Sequence, residues 1–301
     1  MLNRPKITLT VAVVVAATCS VLLLRAVAAA GHATGPASRA DGQAVDPRLF
    51  SPGACMAFPP TSGDRHETVF LDAGHGGIDP GAVGTTESGA TVDESTVNLA
   101  IELDTMTLLR ARGYRVVVSR TQNTSVTRLS AADTAGGVLS AQGAFADVAA
   151  RDVCANLGRA SVLVGIYMDG GSPGQAGCLT GYDTARPFSA ANLRLATLLQ
   201  DDVLAAMNAR GYAIPDDGVQ QDSGLGSALT SAAVAYGHLL LLGPAKAGYF
   251  STPSTMPGAL IEPLFLTDPF EASVAVSAQG QQVIAGGIGQ AVGQYFAASR
   301  T

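Results

Sequence analysis

The 301-residue chain contains no tryptophan, and its aromatic content is only 5%. Its hydropathy rests on alanine, valine and leucine, so any core is aliphatic. Positive charge is scarce as well. With 18 Lys and Arg against 24 Asp and Glu the formal net charge is −6, which removes the electrostatic footprint of a nucleic-acid partner. There are four cysteines, and their spacing fits neither a zinc knuckle nor a C-x-x-C redox pair. No internal period points to a solenoid. What the chain does have is apolar bulk. At 47% hydrophobic and 14% charged residues, it can form one sizeable α/β core, with length left for a leader and a linker.

The leader is legible at the N-terminus. Arg4 and Lys6 precede an uncharged run from Ile7 to Leu24, followed by Arg25 and Ala26-Val27-Ala28-Ala29-Ala30. A basic start, an apolar middle and small residues in an A-x-A arrangement describe an export signal over residues 1–30, which is also long enough to stay as a membrane anchor. Either way the remainder is expected outside the cytoplasmic membrane, secreted or anchored at the cell wall, with membrane contact only through this segment. Cys19 lies inside the run without a convincing lipobox. Residues 31–67, rich in Gly, Ala, Pro and Ser, read as a linker. The catalytic domain is expected over 68–301. Of the three exported cysteines, Cys55, Cys154 and Cys178, an oxidising compartment allows one disulfide, in any of three pairings, and leaves one thiol over.

Within the domain, apolar runs predict strands at Thr68–Asp72, Tyr114–Ser119, Val162–Met168, around Leu179–Asp183, at Leu239–Leu242 and at Ala259–Phe265. Helical periodicity marks 94–112, 145–157, 190–209 and 279–296, while 121–144 and 214–237 read as irregular. Alternating strands and helices predict an α/β fold with a mainly parallel open sheet of about six strands and helices on both faces.

The chain is organised around Leu71-Asp72-Ala73-Gly74-His75-Gly76-Gly77-Ile78-Asp79-Pro80-Gly81. A strand running into a glycine-dense loop puts backbone and one imidazole, His75, at the carboxyl edge of the sheet, where open α/β sheets bind ligands. Aspartate at position 79 breaks the G-x-G-x-x-G phosphate pattern. Two carboxylates join His75 as candidates. Glu94 opens the first helix, where the dipole already favours it. Glu262 sits inside the apolar run Leu260-Ile261-Glu262-Pro263-Leu264, where a charge is costly unless it is paired, protonated or facing a cleft.

Five segments now occur in order: LDAGHGGIDPGAVG from Leu71, ESTVNL from Glu94, RGYRVVVSRT from Arg112, RDVCAN from Arg151 and ALIEPLF from Ala259. Order and spacing resemble the zinc-dependent N-acetylmuramoyl-L-alanine amidases of the type-3 family, over most of residues 68–297. The resemblance implies peptidoglycan as the substrate, cut between glycan and stem peptide. It further implies Zn2+ held by His75 and Glu94, and Glu262 as the catalytic carboxylate. Its third zinc ligand is a histidine in a pattern like V-S-I-H-A-D-G-G, and here Tyr167 stands at that place in Val164-Gly165-Ile166-Tyr167-Met168-Asp169-Gly170-Gly171. A phenol has to lose its proton to bind zinc well. His66 and His238 are the substitutes available, although each precedes a predicted strand, at the wrong end of the sheet. The alternative function is a catalytically silent member that binds peptidoglycan or regulates a hydrolase. Gly170-Gly171-Ser172-Pro173-Gly174 matches a serine-hydrolase G-x-S-x-G, but the residue after the serine is proline, which has no N–H to donate to an oxyanion.

Overall fold

A computed structural model describes residues 41–298 except 173 and 226–229. The expected leader and the first part of the linker lie outside these residues. Among the described residues no helix is long and apolar enough to cross a membrane.

In chain order the elements are β1 (Gln43–Ala44), β2 (Ala54–Phe58), β3 (Thr68–Ala73), β4 (Val83–Thr85), β5 (Thr91–Asp93), α1 (Glu94–Ala111), β6 (Arg115–Arg120), β7 (Thr134–Ala135), β8 (Val138–Leu139) and α2 (Ala141–Leu157). They continue as β9 (Val162–Ile166), β10 (Cys178–Tyr182), α3 (Ser189–Ala209), β11 (Asp216–Gln221), α4 (Ser231–Tyr236), β12 (Gly258–Glu262), α5 (Pro269–Val276) and α6 (Ala278–Ala297). Eight strands form one open sheet in the order β1-β2-β6-β3-β9-β12-β10-β11. The central strands β6, β3, β9 and β12 are mutually parallel, β2 is antiparallel to β6, and β10 is antiparallel to β12. The α/β class and the mainly parallel open sheet are therefore as expected, with eight strands in place of about six.

Central strands buried on both faces are apolar through their middles. Residues 69–71, 116–118, 162–164 and 259–261 are all apolar and buried, while Asp72, Ser119 and Arg120 are polar exceptions at the carboxyl ends. Leu71, Val116, Val118, Val164 and Ile261 pack with Ile101 of α1, Leu199 of α3 and Ile288 of α6. Their neighbours Phe70, Val117, Leu163 and Leu260 point the other way, into a smaller core with Cys154 of α2, Leu241 and Met256. This is the period-2 alternation of a strand with both faces covered.

Several boundaries differ from the sequence reading, each for a physical reason. Part of the segment read as linker forms β1 and β2, which extend the sheet along β6. Leu239–Leu242 is a buried turn and not a strand: the Leu242 and Gly243 amides both donate to the Leu239 carbonyl. An apolar run of four looks the same in either conformation. The converse holds for β11, a polar and largely exposed edge strand beside β10 whose sequence gives no apolar signal. Helix α2 starts at Ala141, because the Ser140 hydroxyl accepts the Gly143 amide as an N-cap. The run Ala259–Phe265 stops being strand at Glu262, before Pro263.

Among the described residues one disulfide is present, Cys55–Cys154, and Cys178 is a buried thiol. It ties β2 to α2 across a sequence separation of 99 residues. Closing so long a loop restricts the unfolded chain strongly, so replacing both Cys55 and Cys154 by serine should cost about 2–5 kcal/mol. Urea unfolding of the double variant against the oxidised chain measures this. A loss within the error of extrapolation would show that the bridge contributes nothing.

Candidate active site

Strands β3, β9 and β12 end together, with Ala73 beside Ile166 and Ile166 beside Ile261. The loop leaving β3 crosses this edge in a conformation that its glycines permit. A Cβ on Gly74 would lie 2.3 Å from the Tyr167 ring, and one on Gly76 2.4 Å from the Thr124 carbonyl oxygen. Gly76 also has φ of 130°. His75 between them has φ of 61°, the left-handed region that non-glycine residues rarely occupy. Such strain is held only where neighbours over-determine it, and here two buried arginines do so. Arg120 donates to the carbonyls of Ala73, Gly74 and Ser95. Arg151 donates to the carbonyls of Ala73 and His75, to Asp72 Oδ1 at 2.7 Å and to Asp147 Oδ2 at 2.8 Å.

The imidazole is fixed at both nitrogens. His75 Nδ1 donates to Asp79 Oδ2 at 2.8 Å, and Nε2 lies 3.2 Å from Glu94 Oε2. A carboxylate on the far nitrogen sets ring orientation and raises basicity, as it does for metal-ligating histidines. Burial alone would lower the His75 pKa, but Asp79 and Glu94 outweigh it and hold it at about 10. Glu94, the first residue of α1, is 2% exposed. Its Oε1 accepts from Asn98 Nδ2 and the Met168 amide, each at 3.0 Å, and its Oε2 accepts from the Ala82 amide at 2.8 Å.

Glu262 is the last residue of β12 and is half-buried. Burial pushes its carboxyl up to about 8, the charges of Asp169 and Glu94 add to this, and His75 opposes it. Asp169, just beyond β9, is itself raised by burial and by Glu94. The structure thus brings His75, Glu94 and Glu262 to one edge, with Asp169 among them.

Tyr167 is placed differently. Its ring stands edge-on to His75 at 5.6 Å between centroids, but its hydroxyl donates to Asp72 Oδ2 at 3.0 Å. Burial and the Asp72 carboxylate push its pKa far up, so the phenol keeps its proton. Neither possible histidine substitute reaches the site. His66 is exposed and pairs with Asp64, and His238 contacts Asp183 and Asp222. The sequence reading assigned no role to Arg151 or Asp79. Arginine amid the small residues of α2, and aspartate four residues after His75, were the available signals.

A family model described as N-acetylmuramoyl-L-alanine amidase, Amidase_3, matches residues 69–294. The chain belongs to that family. Among solved structures, the N-acetylmuramoyl-L-alanine amidase of Clostridium difficile 630 is 25% identical, with 78% of this chain and 98% of that one covered and a TM-score of 0.54. The CwlD amidase of Clostridioides difficile, solved in complex with the GerS lipoprotein, is 21% identical over 77% of this chain and 99% of that chain, with a TM-score of 0.58. Ami1 of Mycobacterium smegmatis is 18% identical over 79% and 100%, with a TM-score of 0.51. The last two likenesses speak to the fold. No protein of curated function matches the chain by sequence. As an N-acetylmuramoyl-L-alanine amidase the protein is a peptidoglycan hydrolase of a zinc-dependent family. The reading of a silent binding module draws no support from this match, and the amidase's disulfide accords with an extracytoplasmic location.

The donor chemistry of the edge suits zinc. One imidazole nitrogen faces one carboxylate oxygen, the imidazole is oriented by a second carboxylate, and further oxygen is at hand in Asp169.

Proposed function

We propose that His75 and Glu94 are the zinc donors of this amidase, and that Glu262 moves the proton while the bond between glycan and stem peptide is cut outside the cytoplasmic membrane. The observation that carries this reading is the 3.2 Å approach of His75 Nε2 to Glu94 Oε2, with the protonatable Glu262 at the same strand ends. Zinc, when bound, supplies Lewis acidity towards the amide carbonyl and acidifies water. Everything else belongs to the chain. Asp79 keeps Nδ1 of His75 occupied, so that Nε2 is the nitrogen offered. Asn98 and the amides of Ala82 and Met168 hold Glu94 in one rotamer. Glu262 takes a proton from the attacking water and returns it to the leaving amine, and a carboxyl raised towards neutrality suits both halves of that exchange.

In this reading position 167, where the family resemblance calls for a histidine ligand, contributes no donor, because its phenol is spent on Asp72. The test compares three forms for zinc per chain and for release of stem peptides from peptidoglycan. His75→Ala should lose hydrolysis together with the one zinc that the catalytic edge holds. Tyr167→Phe should keep its zinc and lose only about 1–3 kcal/mol of stability from the vacated hydrogen bond to a buried carboxylate. Retained hydrolysis in His75→Ala would overturn the assignment of His75. A Tyr167→Phe chain that folds but loses its zinc would make the tyrosine a ligand after all.

A further inference from the structure

Strands β10 and β11 run parallel to each other but against β12. Their carboxyl ends therefore fall on the edge of the sheet opposite His75, Glu94 and Glu262. Carboxyl ends of strands in an open α/β sheet are where ligands bind, and β10 and β11 present a second pair of them there. Asp183 directly follows β10, Asp222 directly follows β11, and the register sets Tyr182 against Gln221, so the two carboxylates leave the sheet side by side. Asp183 is fully buried and Asp222 is 2% exposed. One oxygen of each is fixed by backbone: Asp183 Oδ1 accepts the amides of Ala185 and Arg186 at 2.7 and 2.9 Å, and Asp222 Oδ2 accepts the Leu239 amide at 3.0 Å. His238 completes the group, with Nδ1 at 2.8 Å from Asp183 Oδ2 and 3.4 Å from Asp222. One donor atom from each of the three residues lies within 4.8 Å of the other two.

We propose that Asp183, Asp222 and His238 form a second metal site, separate from the catalytic edge, that takes a divalent transition-metal ion such as Zn2+ or Mn2+. The first support is a shared donor. His238 Nδ1 lies 2.8 Å from Asp183 Oδ2 and 3.4 Å from Asp222, so a single N–H faces two buried carboxylates and cannot satisfy both. Buried carboxylate oxygens are rarely left unsatisfied, because the cost is large. The second is charge. The nearby Arg186 guanidinium spends its hydrogen bonds on the carbonyls of Leu242, Gly243 and Ser254 and pairs with neither acid. A divalent ion offsets two adjacent carboxylates where an imidazolium offsets one.

The third support is donor type. One imidazole and two carboxylates suit Zn2+ or Mn2+, whereas Ca2+ takes six to eight oxygens. The fourth is access. His238 is partly exposed and lines a cavity of about 710 Å3 with Phe145, Tyr236 and Tyr249, which leaves room for entry and for a water in a fourth position. On binding, the ion takes the place of the Nδ1 proton, which passes to solvent.

The experiment strips the full exported chain of metal and titrates it with Zn2+ alone by calorimetry, in a His75→Ala background that disables the catalytic edge. The single variant should bind about one ion per chain and gain thermal stability on zinc addition. His75→Ala/His238→Gln should show neither effect. His75→Ala/Asp222→Asn, which keeps an acceptor for the Leu239 amide, should bind at least about tenfold more weakly. In a chain with His75 intact, His238→Gln should leave peptidoglycan hydrolysis unchanged. Absence of zinc uptake by the His75→Ala chain would overturn the site and leave a structural ion pair. Uptake that survives both His238→Gln and Asp222→Asn would place the ion elsewhere and overturn it equally. Should the His238→Gln chain fail to fold, the Asp222→Asn chain decides alone, since undiminished affinity there excludes the carboxylate as a ligand.

Discussion

Glu262→Gln should lower the rate of stem-peptide release by about 10²–10⁴-fold while leaving zinc content unchanged, because the amide keeps the shape of the carboxyl but can neither accept nor return the proton. Release of stem peptides and zinc per chain, measured on the same preparation, provide the check. A variant that keeps the wild-type rate would remove Glu262 from the reaction. The substitution has a second consequence in the metal-free chain. The folded-state pKa of Glu262 is raised from 4.5 to about 8. Between those values the native state binds more protons than the unfolded one, so this carboxyl makes the chain less stable as pH rises through that window. Glutamine cannot ionise. Metal-free Glu262→Gln should therefore match wild type near pH 4 and exceed it at pH 8 by about 1–3 kcal/mol, allowing for partial exposure of the side chain. Thermal unfolding at the two pH values, with the metal removed, reads the difference. An equal gap at both would show that the carboxyl is not destabilised where it stands.

Replacing Arg151 by methionine should be the most damaging single change to stability, at about 3–5 kcal/mol. The guanidinium lies between two acids, Asp72 and Asp147, and also holds the carbonyls of Ala73 and His75. Asp72 is fully buried and Asp147 is 4% exposed. Removing the cation leaves the carboxylates without their shared partner in a low dielectric, where the penalty exceeds whatever the ion pairs contributed when made. The effect should extend to the metal. With its carbonyl released, His75 has less reason to hold φ of 61°, and zinc affinity should fall along with stability. Arg151→Lys should recover little, since an ammonium cannot span the fork of four acceptors. Urea unfolding and zinc titration of both variants test this. A methionine variant with wild-type stability and zinc affinity would show that the network is incidental.

The parts of the amidase legible in the sequence are those whose signal is local. A strand entering glycines, a glutamate opening a helix and a carboxylate inside an apolar run each announce themselves within a few residues, because strand and helix periodicity and the cost of burying charge act over that range. His75, Glu94 and Glu262 stood out as candidates for that reason, and the order of strands and helices was enough for the fold class. Local signals failed where a polar edge strand carried no apolar pattern, as in β11, and where an apolar run was a turn, as at Leu239–Leu242.

Tertiary structure alone decided how side chains from distant segments meet. Three disulfide pairings were open on sequence, and the packing of β2 against α2 selected Cys55 with Cys154. The identity of residue 167 does not say where its hydroxyl goes; an aspartate 95 residues earlier takes it. Arg151 became the clamp of the His75 loop only because α2 lies over the end of β3, 79 residues away in the chain. The reversal of β10 and β11 carried Asp183 and Asp222 to the edge opposite the catalytic one and set His238 between them. Periodicity fixes which face of an element is buried. Which charged group is its neighbour depends on sheet order, strand direction and register, and these are set by packing of the whole chain.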